Sequence, residues 1–262
     1  MAALVGRYGI TVPFWDAREL VPLLERIQSG TLAFSDLWAQ HNEHRIFFPK
    51  VIMLALAQLT GWDLTWELII NFILASVTLL FFCHLLRQTL DSSWPWVSIL
   101  FSAFIFSPCQ WENFSWGWQL SVFFTNLAMG VAVWSVTRWP GRWRGICLAI
   151  GAALIASYSV INGLMTWVAV LFLILQRERN WKHAVLVGFA FTTAMVFYTP
   201  GYTGILQSNL LFLISHPLDF IVYVLIYLGS PMGFDRTEVS LMIGLLASVL
   251  AFAGTMGARR FS

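Results

Sequence analysis

Charge is scarce in this chain. Only 11% of its 262 residues are Asp, Glu, Lys or Arg, against 58% hydrophobic, where a soluble domain carries about 25% charged residues. Together with a mean hydropathy of +0.73, that shortage excludes an ordinary soluble globular domain and points to a membrane protein. A net charge of +2, with no compact basic face and no aromatic-basic motif, argues against a nucleic-acid partner. Cysteine is nearly as sparse. Cys83, Cys109 and Cys147 lie in or beside apolar segments. An odd, scattered set supplies neither a disulfide framework nor metal spacing, so inert buried thiols are expected. No P-loop, nucleophile elbow or dinucleotide-binding glycine motif occurs. Ionisable groups are also few within the expected spans, His84 near a helix end being the one weighed. That counts against an ion pump or proton-coupled transporter.

What charge there is collects near the start. Thr11 to Lys50 holds nine of the 28 Asp, Glu, Lys and Arg residues. Within it, "DARELVPLLERIQSG" places Leu20, Leu23, Leu24 and Ile27 on one stripe, with Arg18, Glu25 and Arg26 elsewhere on the wheel. That spacing predicts an amphipathic helix lying at an interface. Asp16 and Glu19 have capping-box spacing, Gly30 is a natural stop, and Pro22 predicts regular helix only from about Glu19. The next run, "SDLWAQHNEHRIFFPK", packs Asp36, His41, Glu43, His44, Arg45 and Lys50 against an apolar stretch.

Ile46 to Gly61 is apolar but short for a crossing, and is expected to lie along the interface. Leu64 to Leu86, Gln119 to Val136 with its flanks, His183 to Tyr198 and Val239 to Met256 are expected spans. So is the shorter Trp94 to Phe106, bounded by Pro95 and Pro108. Gly145 to Leu175 exceeds one span at about 1.5 Å per residue and predicts two, turning near "SYSVING" at Asn162 and Gly163. The region from Ile205 to Glu238 is read as an outer interfacial helix or a short re-entrant pair. "MAALVGRYGITVPFWD" is a poor signal peptide and reads as the tail of a first span whose beginning is missing; the chain is expected to be either a small protein or part of a longer one.

Positive-inside counting sets "TRWPGRWRG", "QRERNWK", the terminal "ARR" and the loop begun by Arg87 on the cytoplasmic side. The polar N-terminal region, "SPCQWENFSWGW", "SYSVING" and "YTPGYTG" then face outward. Among 14 tryptophans, Trp94, Trp96, Trp111, Trp116, Trp118 and Trp181 fall near expected segment ends, as interfacial anchors do. The expectation is an all-α polytopic integral membrane protein with about seven or eight transmembrane helices and outer juxtamembrane helices. It divides into an outer-face segment, 1–63, and a helical membrane bundle, 64–262.

Candidate chemistry lies on the outer side. Asp16, with Glu19 nearby, and Glu112 sit amid aromatics. A carboxylate at the membrane surface can act as general base toward a hydroxyl or amine, and partial desolvation tunes it for that role. Arg45 and Lys50 suit a lipid-linked phosphate, and Trp111 and Trp116 could stack on a sugar ring. His41 and His44, with Glu43 between them, do not have zincin spacing and lack a third ligand. They and Glu19 count as substrate-binding candidates, with no metal site assigned. A divalent cation shared between carboxylates and a phosphate is kept as an option.

The order of these features resembles the GT-C superfamily, polytopic glycosyltransferases that use polyprenyl-phosphate-linked sugars. The likeness runs from "FWDARELVPLLERIQSG" through "EHRIFFPKVIMLALAQLTGW" to "SPCQWENF", roughly Tyr8 to Trp134. In that family an outer-face Asp precedes the first juxtamembrane helix, and a second acidic loop residue follows the third span. "FFPK" stands where the family often has His-Pro-Pro or Lys-Pro-Pro. The chain is also similar to uncharacterised bacterial, chiefly cyanobacterial, membrane proteins with "WD…NEHR…QWENF…GWQ" signatures. The resemblance implies sugar transfer from a polyprenyl-phosphate donor to an acceptor at the outer face of a bacterial inner membrane. Asp16 would be the general base, with Glu112 supporting it or a metal. A non-catalytic scaffold or lipid-carrier-binding subunit is the alternative reading, and a transporter a third.

Overall fold

The computed structural model describes residues 1–90, 92–178, 180–203, 212–233 and 236–258. Among them there is no strand, only two isolated bridges, Ile10 with Trp116 and His41 with His44. The chain divides into two compact units, one of Met1–Phe106 and Trp111–Thr203, the other of Ser107–Gln110 and Gly204–Ser262.

The first unit opens with α1 (Ala2–Tyr8), a 3-10 turn (Trp15–Glu19), α2 (Leu20–Gln28), α3 (Phe34–Trp38) and α4 (Phe47–Thr60). α2 matches its sequence pattern. Leu20, Leu23 and Leu24 are buried, and Arg18, Glu25 and Arg26 are exposed. Pro22 sits in the first turn, where its missing N–H lacks a helical partner anyway. The capping box expected from Asp16 and Glu19 does not form, because both residues lie in the 3-10 turn and no side chain caps α2. The capping carboxylate belongs instead to α3, where Asp36 accepts the Ala33 N–H at 2.9 Å. α4 has 14 residues, about 21 Å of helix, and falls short of the roughly 30 Å hydrocarbon layer.

The unit continues with α5 (Thr65–Thr89), α6 (Trp94–Ile105), α7 (Trp111–Ser115), a 3-10 turn (Gly117–Gln119), α8 (Leu120–Arg138), α9 (Trp143–Ser157), α10 (Met165–Leu173) and α11 (Trp181–Tyr198). Two helices among the described residues are long and apolar enough to cross a membrane, Thr65–Gln88 and Gly117–Arg138. α9 and the stretch Ile161–Gln176 are apolar but shorter. They part at Tyr158 to Val160, beside the turn expected at Asn162 and Gly163. Among the described residues three apolar cores organise this unit, a small one of Ala75, Phe114 and Phe123 and two larger ones. Of the larger two, one joins α2, α4 and the 116–120 segment through Leu20, Met53, Trp116 and Leu120; the other joins α8 to α11 through Ile146, Trp167 and Val187. At about 25 cal/mol per Å² of apolar surface removed from water, such side chains each contribute on the order of 2 kcal/mol. Cys109 and Cys147 are exposed and Cys83 half-buried, so the expected burial of the thiols does not hold.

The second unit holds α12 (Pro217–Gly229) and α13 (Thr237–Ala258). The bent pair Pro217–Met232 and Thr237–Leu250 makes a third crossing if taken as one span. The two helices touch at small residues, and a Cβ on Gly244 would lie 1.8 Å from the Leu225 carbonyl oxygen. Close backbone approach of this kind is how membrane helices gain packing energy. The parts of the 205–238 expectation at 205–211 and 234–235, Arg179 of the "QRERNWK" loop, and the two arginines of the terminal "ARR" lie outside the described residues.

Candidate functional site

The N-terminal stretch is pinned to the 115–119 turn before any charged side chain is placed. The Ile10 N–H donates to the Ser115 carbonyl at 2.8 Å. Phe14 stacks on Trp15, with centroids 5.2 Å apart, and both meet the Trp116 ring edgewise at about 6 Å. Trp15 has a φ of 46°, a strained value for a bulky residue that persists only where surroundings enforce it. This aromatic clasp fixes the 3-10 turn that carries Asp16 and Glu19.

The second half comes from the Ser35 to Lys50 run. His41 and His44 exchange backbone hydrogen bonds at 2.9 and 2.8 Å, with Asn42 left-handed at the tip. The hairpin drives the His41 ring inward, onto the Trp118 indole at 5.1 Å, with 3% of its side chain exposed. There it stands between the two carboxylates. Nδ1 donates to Glu19 Oε2 at 2.7 Å, while Nε2 lies 3.4 Å from Asp16 Oδ2 and 3.2 Å from the Asn42 amide nitrogen. Glu19 at Nδ1 holds the ring and its tautomer, and Nε2 has a partner whether it carries a proton or not. The Asp16 and Glu19 side chains remain 36% and 54% exposed, so the cluster faces outward through its acids and inward through its imidazole.

Beside it runs a cleft of about 270 Å³ lined by Glu19, Arg26, Asp36 and Lys50, among others. Arg26 pairs with Asp36. The Ala33 N–H and then Arg26 hold the Asp36 carboxyl below its ordinary value. Lys50 is buried, and its Nζ donates to the Ala39 carbonyl at 2.9 Å. Burial lowers its pKa, with Arg45 adding to the effect and Glu19 opposing it.

The other candidates go elsewhere. Arg45 is buried and acts as a staple. Its guanidinium donates to the carbonyls of Tyr198 and Trp38 at 2.6 Å each and to that of Pro200, and it lies over the Trp38 and Tyr198 rings. Glu43 is half-buried on the hairpin, and its carbonyl accepts from the Tyr198 and Tyr202 hydroxyls at 3.3 Å. His44 Nδ1 accepts the Ile161 N–H at 3.3 Å, and burial, aided by His41, holds its pKa below the usual value against Glu43 and Asp16. Trp116 is buried beneath Phe14 and Trp15, so the exposed indole at this turn is Trp15. Glu112 and Trp111 are exposed on α7. Among the described residues no hydrogen bond or ion pair joins Glu112 to the Asp16 cluster. Nor is any group of three or more His, Cys, Asp or Glu among them arranged to hold a metal; Asp16 and Glu19 bracket an imidazole instead.

One polar pair escaped the sequence reading. Glu67 and Asn71 lie on α5 within an apolar run and are buried, at 2% and 0% exposure. Two polar residues four apart on a hydrophobic helix share a face, and that spacing was the available signal.

Compared with protein-family models, curated proteins and solved structures, the chain finds no match.

Proposed function

We propose that this chain is a GT-C-type glycosyltransferase. It would move a sugar from a polyprenyl-phosphate-linked donor to an acceptor at the outer face of the bacterial inner membrane, with about seven or eight crossings. The observation that carries the reading is the Asp16–His41–Glu19 cluster, built on Trp118 beside a cleft holding Lys50. Asp16, partly exposed, takes the proton of an acceptor hydroxyl as that oxygen attacks the anomeric carbon. The sugar–phosphate C–O bond breaks, and polyprenyl phosphate leaves with the bonding pair and inverted stereochemistry at carbon. Glu19 and His41 hold the acid in place, and Lys50 meets the phosphate charge. Trp15 offers the open aromatic face. An apolar cleft of about 480 Å³ between α1 and α5, bordered by Val5, Leu68 and Phe72, is of a kind to hold an isoprenoid chain.

Glu112 stands apart from this cluster, and that observation favours the alternative, a non-catalytic subunit that binds the lipid carrier. Purified protein supplied with a panel of labelled polyprenyl-phosphate sugars separates the two. The enzyme should turn over at least one donor, and Asp16→Asn should lower the rate roughly 100-fold or more without changing the melting temperature. Full activity in that variant would remove Asp16 as base. Binding of the carrier without turnover of any donor would leave the subunit reading.

A further inference from the structure

Glu67 and Asn71 occupy the first two turns of α5, a helix long and apolar enough to cross a membrane. Both face the turn that begins α8. The Glu67 carboxylate lies against Gly117 so closely that a Cβ there would sit 2.3 Å from Oε2. The Asn71 amide donates through Nδ2 to the carbonyls of Trp116, at 3.1 Å, and Gly117, at 3.4 Å. Its Oδ1 is buried and has no hydrogen-bond partner. Among the described residues, no hydrogen bond or ion pair reaches the Glu67 carboxylate either. Buried charge persists only when paired, and buried amide oxygens are almost always satisfied. Here an unsatisfied amide oxygen and a buried carboxyl without a partner among the described residues flank one glycine, in the first two turns of an apolar helix.

We infer that Glu67 and Asn71, with the carbonyls of the 116–117 turn, form a site for one alkali-metal cation. The donor set is entirely hard oxygen, one carboxylate plus neutral amide and peptide groups, which suits a hard cation rather than zinc or copper. The charge count selects the class. One carboxylate neutralises one positive charge, whereas a divalent ion would leave a net charge buried, and among the described residues no group of three or more acids, histidines or cysteines forms here. The bound ion ties α5 to the segment that carries Trp116 and Trp118, and thus to the floor under His41. The inference stands independently of sugar transfer.

The test uses the full chain purified in detergent, with its melting temperature compared at pH 8 in NaCl, KCl and N-methyl-D-glucamine chloride of equal ionic strength. Sodium or potassium should raise it saturably by roughly 3–6 °C over the organic cation. Glu67→Gln, which keeps shape and removes charge, should abolish that difference. Equal melting temperatures of the native chain in all three salts overturn the site and leave Glu67 as a neutral acid. An undiminished alkali effect in Glu67→Gln overturns it too. Should that variant fail to fold, equilibrium dialysis of the native chain against ²²Na⁺ and ⁸⁶Rb⁺ decides. About one ion bound per chain supports the site, and none bound overturns it.

Discussion

The Ser35 to Lys50 run and the inward face of α5 both bury polar groups, and they do so in opposite ways. Along the run, Asp36 finds Arg26, His41 finds Glu19, His44 accepts from Ile161, Arg45 donates to three carbonyls, and Lys50 donates to Ala39. On α5, neither the Glu67 carboxyl nor the Asn71 oxygen, packed against a glycine turn, has such a partner among the described residues. Partnered groups of the first kind hold a fold together, because removing one strands the others. Unpartnered groups of the second kind cost stability where they stand, and in folded proteins they mark places that bind something.

The contrast can be broken most severely at Arg45. Arg45→Ala strips donors from the carbonyls of Trp38, Tyr198 and Pro200. A stranded buried acceptor costs about 1–3 kcal/mol, and of the three only Tyr198 is a buried residue, so a loss of roughly 2–4 kcal/mol is expected once the lost ring packing is added, read as a lowered thermal transition in detergent. Arg45→Lys should recover only part of it, since an ammonium cannot reproduce a planar fork of donors. A native-like transition in the alanine variant would show that the run is not stapled by this side chain.

Next in size is Gly117→Ala, expected to cost about 1–3 kcal/mol by overpacking. Adding Glu67→Ala relieves the clash with the carboxylate oxygen, yet the Glu67 Cβ contact at 2.7 Å stays. The double variant should therefore regain some stability but not all. Full additivity of the two losses would mean that the glycine and the acid do not touch.

The smallest effect is a pH dependence at His44. Its pKa is lowered in the fold, so the unfolded chain binds the proton first. Stability from the neutral ring is complete above the ordinary value of 6.5 and is lost as pH falls below it. The melting temperature should decline as pH falls below about 6.5, and His44→Gln should flatten that decline. An unchanged slope would detach His44 from the Ile161 contact.

Much of the local structure was legible because it depends on neighbours in sequence. The stripe of Leu20, Leu23 and Leu24 reported α2, and the break near Asn162 reported the turn between α9 and α10. Asp16 and His41 were each singled out by residue type, but their meeting was not legible, since 25 positions separate them and no periodicity links a 3-10 turn to a hairpin. Arg45 read as a phosphate ligand because a sequence shows its charge but not the backbone carbonyls that occupy it. Glu67 sat at the mouth of an expected span, where an acid looks like a solvated first-turn residue.

What the sequence determined by itself was that the chain is helical and apolar, with its few charges gathered near the start; composition and short-range spacing suffice for that. Which charges meet, which are spent on backbone and which are left unpaired was decided only by the tertiary structure. Those outcomes depend on distances between residues far apart in the chain, which no local periodicity encodes.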